Sequence, residues 1–191
     1  MTKRVVLLGP PGSGKGTQAV GLAKALGVPA ISTGAIFRDN LSRGTKLGKT
    51  AGSYMAAGQL VPDEVTNAMV ADRLAQPDAA DGFILDGYPR NLEQVVELDA
   101  MLAERGLEID LALDLALDHV LVVARLLNRA QIEGRADDTE PVIRERLAVY
   151  RRSTEPISGA YAARGKLVSV DGDGTIEDVA LRLHAACVPA T

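Results

Sequence analysis

Gly9-Pro10-Pro11-Gly12-Ser13-Gly14-Lys15-Gly16-Thr17 lies between an apolar run, Arg4 to Leu8, and a helical pattern that starts at Gly16. Glycine frees the backbone to turn its N–H groups inward around an anion. The N-terminus of the following helix adds partial positive charge, and a lysine at this spacing reaches terminal phosphates. Strand, glycine-rich loop and helix together make the phosphate-binding loop. Gly16 stands where the general motif carries a hydroxyl, so Thr17 supplies any hydroxyl near a nucleotide-bound metal.

Outward from this loop, short apolar segments recur at Ala30 to Ser32, Phe83 to Asp86, Leu111 to Leu117 and Lys166 to Asp171, with helical patterns between them. In Gly16 to Leu26, Ala19, Leu22, Ala23 and Leu26 share one face, and Gly27 with Pro29 ends the pattern. This alternation predicts an α/β fold with a five-stranded parallel sheet covered by helices, and ligands at the carboxyl ends of the strands. Two stretches exceed a simple strand-helix-strand unit. Residues 34–77 hold three helical patterns (35–42, 47–57 and 62–74). Residues 128–140 form a polar segment read as joining two helices. Each reads either as a moving lid or as ordinary surface structure. Asp86, after three apolar residues and before Gly87, would face the phosphate loop, where such a carboxylate holds Mg²⁺ or its waters.

Composition narrows the class. With 191 residues, 47% hydrophobic and 24% charged, the chain has enough apolar content for a full core without staples. Its 21 basic residues against 25 acidic ones give a net charge of −4, which argues against a broad nucleic-acid footprint or a polybasic membrane contact. The apolar run after Lys3-Arg4 ends at Leu8, too short for a secretory signal, and Leu111 to Leu127 is broken by Asp114, Asp118, His119 and Arg125, so no membrane segment is expected. The single cysteine, Cys187, excludes an intramolecular disulfide and a cysteine zinc site; it suits the cytoplasm and reads as a helix-face residue. From Arg125 to Arg152 there are seven arginines and no lysine, a bias suited to bidentate phosphate binding. Arg125, Arg144, Arg151 and Arg152 are taken as surface ion-pair residues. Asp137 and Asp138 read equally as a lock on the lid and as an acidic helix start. Met55 reads equally as packing and as a base contact, and His119 and His184 have no metal-ligand spacing.

Six motifs occur in order: GPPGSGKGT at 9–17, ISTG at 31–34 with Phe37-Arg38, GQLVP at 58–62, DGYPRNLEQ at 86–94, GRADD at 134–138, and Val170-Asp171 with Gly174. In these the chain resembles the adenylate kinases of the nucleoside monophosphate kinase family. The resemblance implies reversible phosphoryl transfer from Mg²⁺-ATP to AMP, giving two ADP, by a cytoplasmic monomer. It implies a P-loop core (1–31, 62–127 and 139–191), a helical AMP-binding excursion at 32–61 and a short lid at 128–138. Thr33, Arg38, Gln59, Leu60, Val61, Gly87, Tyr88, Pro89, Arg90 and Gln94 would hold AMP, Gln94 reading the adenine edge. Arg129 and Gly174 would join the phosphate loop around ATP. Arg135 and Arg146 would contact the monophosphate and the moving phosphoryl group, completing with Lys15, Arg90 and Arg129 the catalytic set. Asp86 would meet the metal through bound water. Long-lid relatives carry an insertion, sometimes with a four-cysteine zinc site; the five residues between Arg129 and Arg135 contain no Cys or His, so no zinc is expected. Thr33 and Gln94 favour AMP over the pyrimidine monophosphates of the UMP/CMP kinases, where Ala and Asn tend to stand. A non-catalytic nucleotide sensor is the reading from another class.

Overall fold

The computed structural model describes residues 3–133 and 136–187. Along the chain the elements are β1 (Arg4–Leu8), α1 (Lys15–Leu26), β2 (Ala30–Ser32), α2 (Thr33–Ser42), α3 (Lys46–Ala56), α4 (Asp63–Leu74), β3 (Phe83–Asp86), α5 (Leu92–Ala103), β4 (Leu111–Ala116), α6 (His119–Glu133), α7 (Glu140–Val149), α8 (Pro156–Ala163), β5 (Leu167–Asp171) and α9 (Ile176–Cys187). Short 3₁₀ turns occupy 77–79 and 136–138, and a π-helical turn, Tyr150–Thr154, joins α7 to α8. The strands form one parallel sheet in the order β2-β3-β1-β4-β5. The chain leaves β1 toward one side of the sheet and crosses from β3 to the other, so the reversal opens a crevice at the carboxyl end of β1.

Alternate residues of each strand feed two cores. Val6, Leu8, Phe83 and Leu85 pack with Val95, Leu98, Leu102, Ile157 and Tyr161 on one face. Val5, Leu7, Ile84, Leu113 and Leu115 pack with Leu22, Val179, Leu183 and Cys187 on the other. Cys187 is buried there, and loss of hydration pushes its thiol up to about 11, as suits a packing residue. No helix among the described residues is long and apolar enough to cross a membrane.

The first two helices of the first excursion start where sequence supplies a cap. Ser32 accepts the Ala35 N–H and Thr45 accepts the Gly48 N–H. Between α2 and α3 the closest approach is at Gly48, where a methyl would overlap the backbone of Asn40 and Leu41. Gly48→Ala is therefore expected to cost about 2–3 kcal/mol by overpacking, since backbone cannot rotate away as a side chain can; an unchanged denaturation midpoint would contradict this.

The segment at 128–140 differs from expectation. It does not begin as a connection, because α6 runs on through 128–133. Asn128 to Glu133 contains neither glycine nor proline, and the helix is anchored one turn earlier by Val122 and Leu126 against Ile143 and Leu147.

Candidate active site

The phosphate loop lies at the carboxyl end of β1, with Gly9, Gly12 and Gly14 at positive φ. At Gly9 a side chain would also strike the carbonyl of Leu115, 2.7 Å away, so the loop lies directly on β4. The N-terminus of α1 has neither a side-chain cap nor an acidic residue in its first turn. That leaves its partial positive charge for a ligand. Lys15 Nζ donates to the Gly9 and Pro10 carbonyls (2.6 and 2.8 Å) and to Ser13 Oγ (3.3 Å), so the ammonium is stored within the loop. Surrounded by protein at the cleft wall, it is pushed down to about 8 by lost hydration and by the charges of Arg90 and Arg146, against the pull of Asp86. The carboxylate of Asp86 does face the loop, with Oδ2 beside Gly16 and accepting from Ser32 Oγ at 3.0 Å.

Two cavities open along the strand ends. The larger runs over the loop, between Lys15, Thr17, Asp86, Arg125 and Arg129. The smaller is lined by Thr33, Phe37, Met55, Gln59 to Val61 and Gln94. Arg38, Arg90 and Arg146 line both. Each strand end therefore delivers one part: Leu8 leads into the loop, Ser32 into Thr33, and Asp86 into the Gly87 turn.

That turn is tightly built. Thr33 Oγ1 and Arg90 Nε both donate to the Gly87 carbonyl, at 2.8 and 2.7 Å. Gly87 has φ +79°, and a methyl there would meet Arg90 and Thr33 at 2.8 Å, so only glycine fits. Arg90 is further fixed by its N–H to Gln94 Oε1 (2.7 Å) and by Thr154 Oγ1 on its carbonyl (2.8 Å). Burial, then the neighbouring charges of Arg146 and Arg38, weakens the hold of Arg90 on its proton; burial does the same to Arg146. Guanidinium nevertheless stays charged, so the shared wall gathers repelling cations around open space, an arrangement that a bound anion relieves.

Behind this wall, Arg129 makes a bidentate pair with the buried Asp138 (2.6 and 2.7 Å). Arg146 donates to the same carboxylate (2.6 Å) and to Asp137 (3.0 Å). Asp138 thus ties Arg129 of α6 to Arg146 of α7, and Asp137 adds a second hold on Arg146, while Thr139 and Glu140 stand at the start of α7.

The positions of several other residues add to the sequence reading. Arg135 and Gly134 lie outside the described residues. The Tyr88 side chain is wholly buried in the core, its hydroxyl donating to Asn67 Oδ1, so only its backbone borders the Gly87 turn. Gly174, in the loop between β5 and α9, is exposed and is not among the residues lining the larger cleft. Met55 packs with Phe37, Ala51 and Val61 and also lines the smaller cavity. Arg144 pairs with Glu140 on the surface, as expected. Arg125 pairs with Asp173 (3.7 Å) but also lines the larger cleft. Its position one turn before Arg129 on α6 is the signal that marks it. Asp63 and Thr154 carry no such local signal, because each acts on a residue distant in sequence.

A glycine loop between β1 and α1, facing a crevice at the reversal of a parallel sheet, defines a P-loop nucleotide-binding protein, and two cavities joined by arginines mark one that brings two anionic ligands together. The chain belongs to the adenylate kinase family and has that family's phosphotransferase activity: the family model "Adenylate kinase" matches residues 7–166. An adenylate kinase of Thermobifida fusca (strain YX) is 55% identical over 183 residues, 96% of this chain and 97% of the relative. Those of Kocuria rhizophila (54%, 96% and 97%) and Mycobacterium tuberculosis (52% over 179 residues, 94% and 96%) are similar along nearly their whole lengths.

Proposed function

We propose that this chain transfers the terminal phosphoryl group of Mg²⁺-ATP to AMP, reversibly, giving two ADP, and so balances adenine nucleotides. The observation that carries the reading is the wall shared by the two cavities, where Arg38, Arg90 and Arg146 stand between the phosphate loop and the Gln94 pocket. ATP occupies the larger cleft, its phosphates on 12–17 and Arg129 and its base toward Gly174. AMP occupies the smaller, held by Thr33, Arg38, the backbone of 59–61, the 87–90 turn and Gln94. Phosphoryl transfer through a loose transition state asks little covalent chemistry of the protein, so the work is alignment and neutralisation by Lys15, Arg90, Arg129, Arg135 and Arg146.

Mg²⁺ enters as part of the nucleotide and draws charge from its phosphate oxygens. One carboxylate, Asp86, with Thr17 nearby, suits a cation carried in by a ligand, and no group of three His, Cys, Asp or Glu among the described residues is placed to hold a metal independently. The excursion at 32–61 and the lid at 128–138 are taken as the parts that move against the core. The contact of Gln59 with Glu145, and the seat of Gly58 against α7, join the excursion to the lid side of the cleft. We take the enzyme to act as a monomer in the cytoplasm, where a lone buried thiol such as that of Cys187 stays reduced.

Incubation with Mg²⁺-ATP and each nucleoside monophosphate in turn should give two ADP from AMP and little product from CMP or UMP. Equal use of all three would overturn the assignment. The pH profile is a further expectation. Lys15 meets phosphate as the ammonium, and the free enzyme loses it near pH 8. kcat/KM for ATP should therefore fall as pH rises through about 8, while kcat, reporting the occupied site where phosphates hold the proton, falls later. A kcat/KM that stays flat to about pH 10 would contradict this.

A further inference from the structure

Gln94 is 2% exposed, at the inner end of the smaller cavity, and its amide is already half committed. Oε1 accepts the Arg90 N–H at 2.7 Å, and Nε2 donates to Asp63 Oδ1 at 2.6 Å. A primary amide has two N–H donors and two lone pairs. One of each is spent inside the protein, which leaves one donor and one acceptor for a ligand. The internal partners also fix which end is which. Turning the amide over would set Oε1 against a carboxylate and NH₂ against a backbone N–H, exchanging two attractions for two repulsions. The Arg90 N–H is backbone and always present. Asp63, in the first turn of α4, is the side chain that enforces the order.

We propose that Asp63 is a specificity-determining positioning residue: by holding Gln94 Nε2 it sets the donor and acceptor order that the cavity offers, matching a 6-amino purine and rejecting a 6-oxo purine. Adenine presents a ring-nitrogen acceptor beside an amine donor; hypoxanthine presents a ring N–H beside a carbonyl, the reverse pattern. Only an amide free to turn over serves both. Asp63 also accepts from Asn91 Nδ2 (3.1 and 2.9 Å), while Asn91 Oδ1 caps α5 through the Gln94 N–H at 2.7 Å. The residue therefore has a structural tie as well, and the test must separate the two roles. The proposal rests on the reading that Gln94 meets the base.

The test measures kcat and KM for AMP and for inosine monophosphate at saturating Mg²⁺-ATP in wild type, Asp63→Asn, Asp63→Leu and Gln94→Leu. Asparagine is isosteric and holds either face of the Gln94 amide, donating or accepting, so Asp63→Asn should lower the AMP-to-IMP ratio of kcat/KM by about tenfold or more. The change should come from a higher KM for AMP and a gain with IMP, with KM for ATP unmoved. Asp63→Leu should lower the ratio as well; if it does not fold, the asparagine variant decides alone. An unchanged ratio in the Asp63 variants beside a reduced one in Gln94→Leu overturns the role of Asp63 and leaves the base reading standing. A reduced melting temperature with an unchanged ratio means only a structural tie, and also overturns it. An unchanged ratio in Gln94→Leu removes the base reading and this proposal together.

Discussion

Lys15→Met is expected to leave the stability of the fold little changed and to lower kcat by about 10²–10³-fold or more, the range seen when one preorganised donor is removed from a developing oxyanion. Lys15 is held within the loop by Gly9, Pro10 and Ser13, and in the proposed reaction phosphate ligands would draw it from them to where charge develops on the moving group. Methionine keeps the length of the side chain and removes the charge. Stability should behave differently, and the sign follows from proton binding. The folded state holds Lys15 near 8 against 10.5 for the free side chain, so between those values it binds fewer protons than the unfolded chain. Stability therefore rises with pH across that window, and below it the buried charge works against folding. Removing the ammonium at pH 7 relieves that cost and gives up three hydrogen bonds; the two oppose each other. Turnover and denaturation midpoint, measured on the same preparation, check both halves. Near-wild-type turnover would remove Lys15 from the transfer step, and a collapse of stability would make it a structural residue.

Most of the frame is legible in the sequence because it rests on local signals. The five strands are short apolar runs bounded by glycine, proline or aspartate, and the observed ends fall within one residue of those expected. The phosphate loop, the Gly87 turn and the arginine positions follow from residue types that few other structures use at those spacings. What is hidden depends on partners far apart in sequence. Tyr88 sits inside a motif of cavity residues, yet its ring fills the core because its hydroxyl finds Asn67 on α4, 21 residues away. Asp137 and Asp138 look like a helix start until Arg129 and Arg146 are seen to converge on them from two helices. α6 overruns the expected connection because polarity marks an exposed helix as readily as a loop; Asn128 and Gln131 are exposed residues of that helix. Gln94 is marked by its motif, but its donor and acceptor order depends on Asp63, 31 residues earlier.

Arg90→Lys tests whether the arginine wall between the two cavities serves geometry or charge alone, and the expected loss is about 10²–10³-fold in kcat/KM, carried mainly by kcat. Net charge is unchanged by the substitution, so an effect of bulk potential predicts little. The structure predicts much more. Arg90 Nε is occupied by the Gly87 carbonyl, and the backbone on either side is held by Gln94 and Thr154, so the Nη fork is the part left to face the two cavities. A guanidinium divides its five N–H groups between these tasks, whereas an ammonium on a flexible stem cannot brace the turn and present two parallel donors at once. If lysine reaches the phosphate, Gly87 loses a partner; if it holds Gly87, the fork disappears. Either outcome misplaces charge by an ångström or more in a step that depends on alignment. Steady-state kinetics with both nucleotides, and nucleotide binding measured by calorimetry, separate the terms: affinities should move less than turnover. A lysine variant within about threefold of wild type would mean that the shared wall acts as a diffuse positive field, and the role of Arg90 on the moving phosphoryl group would fall.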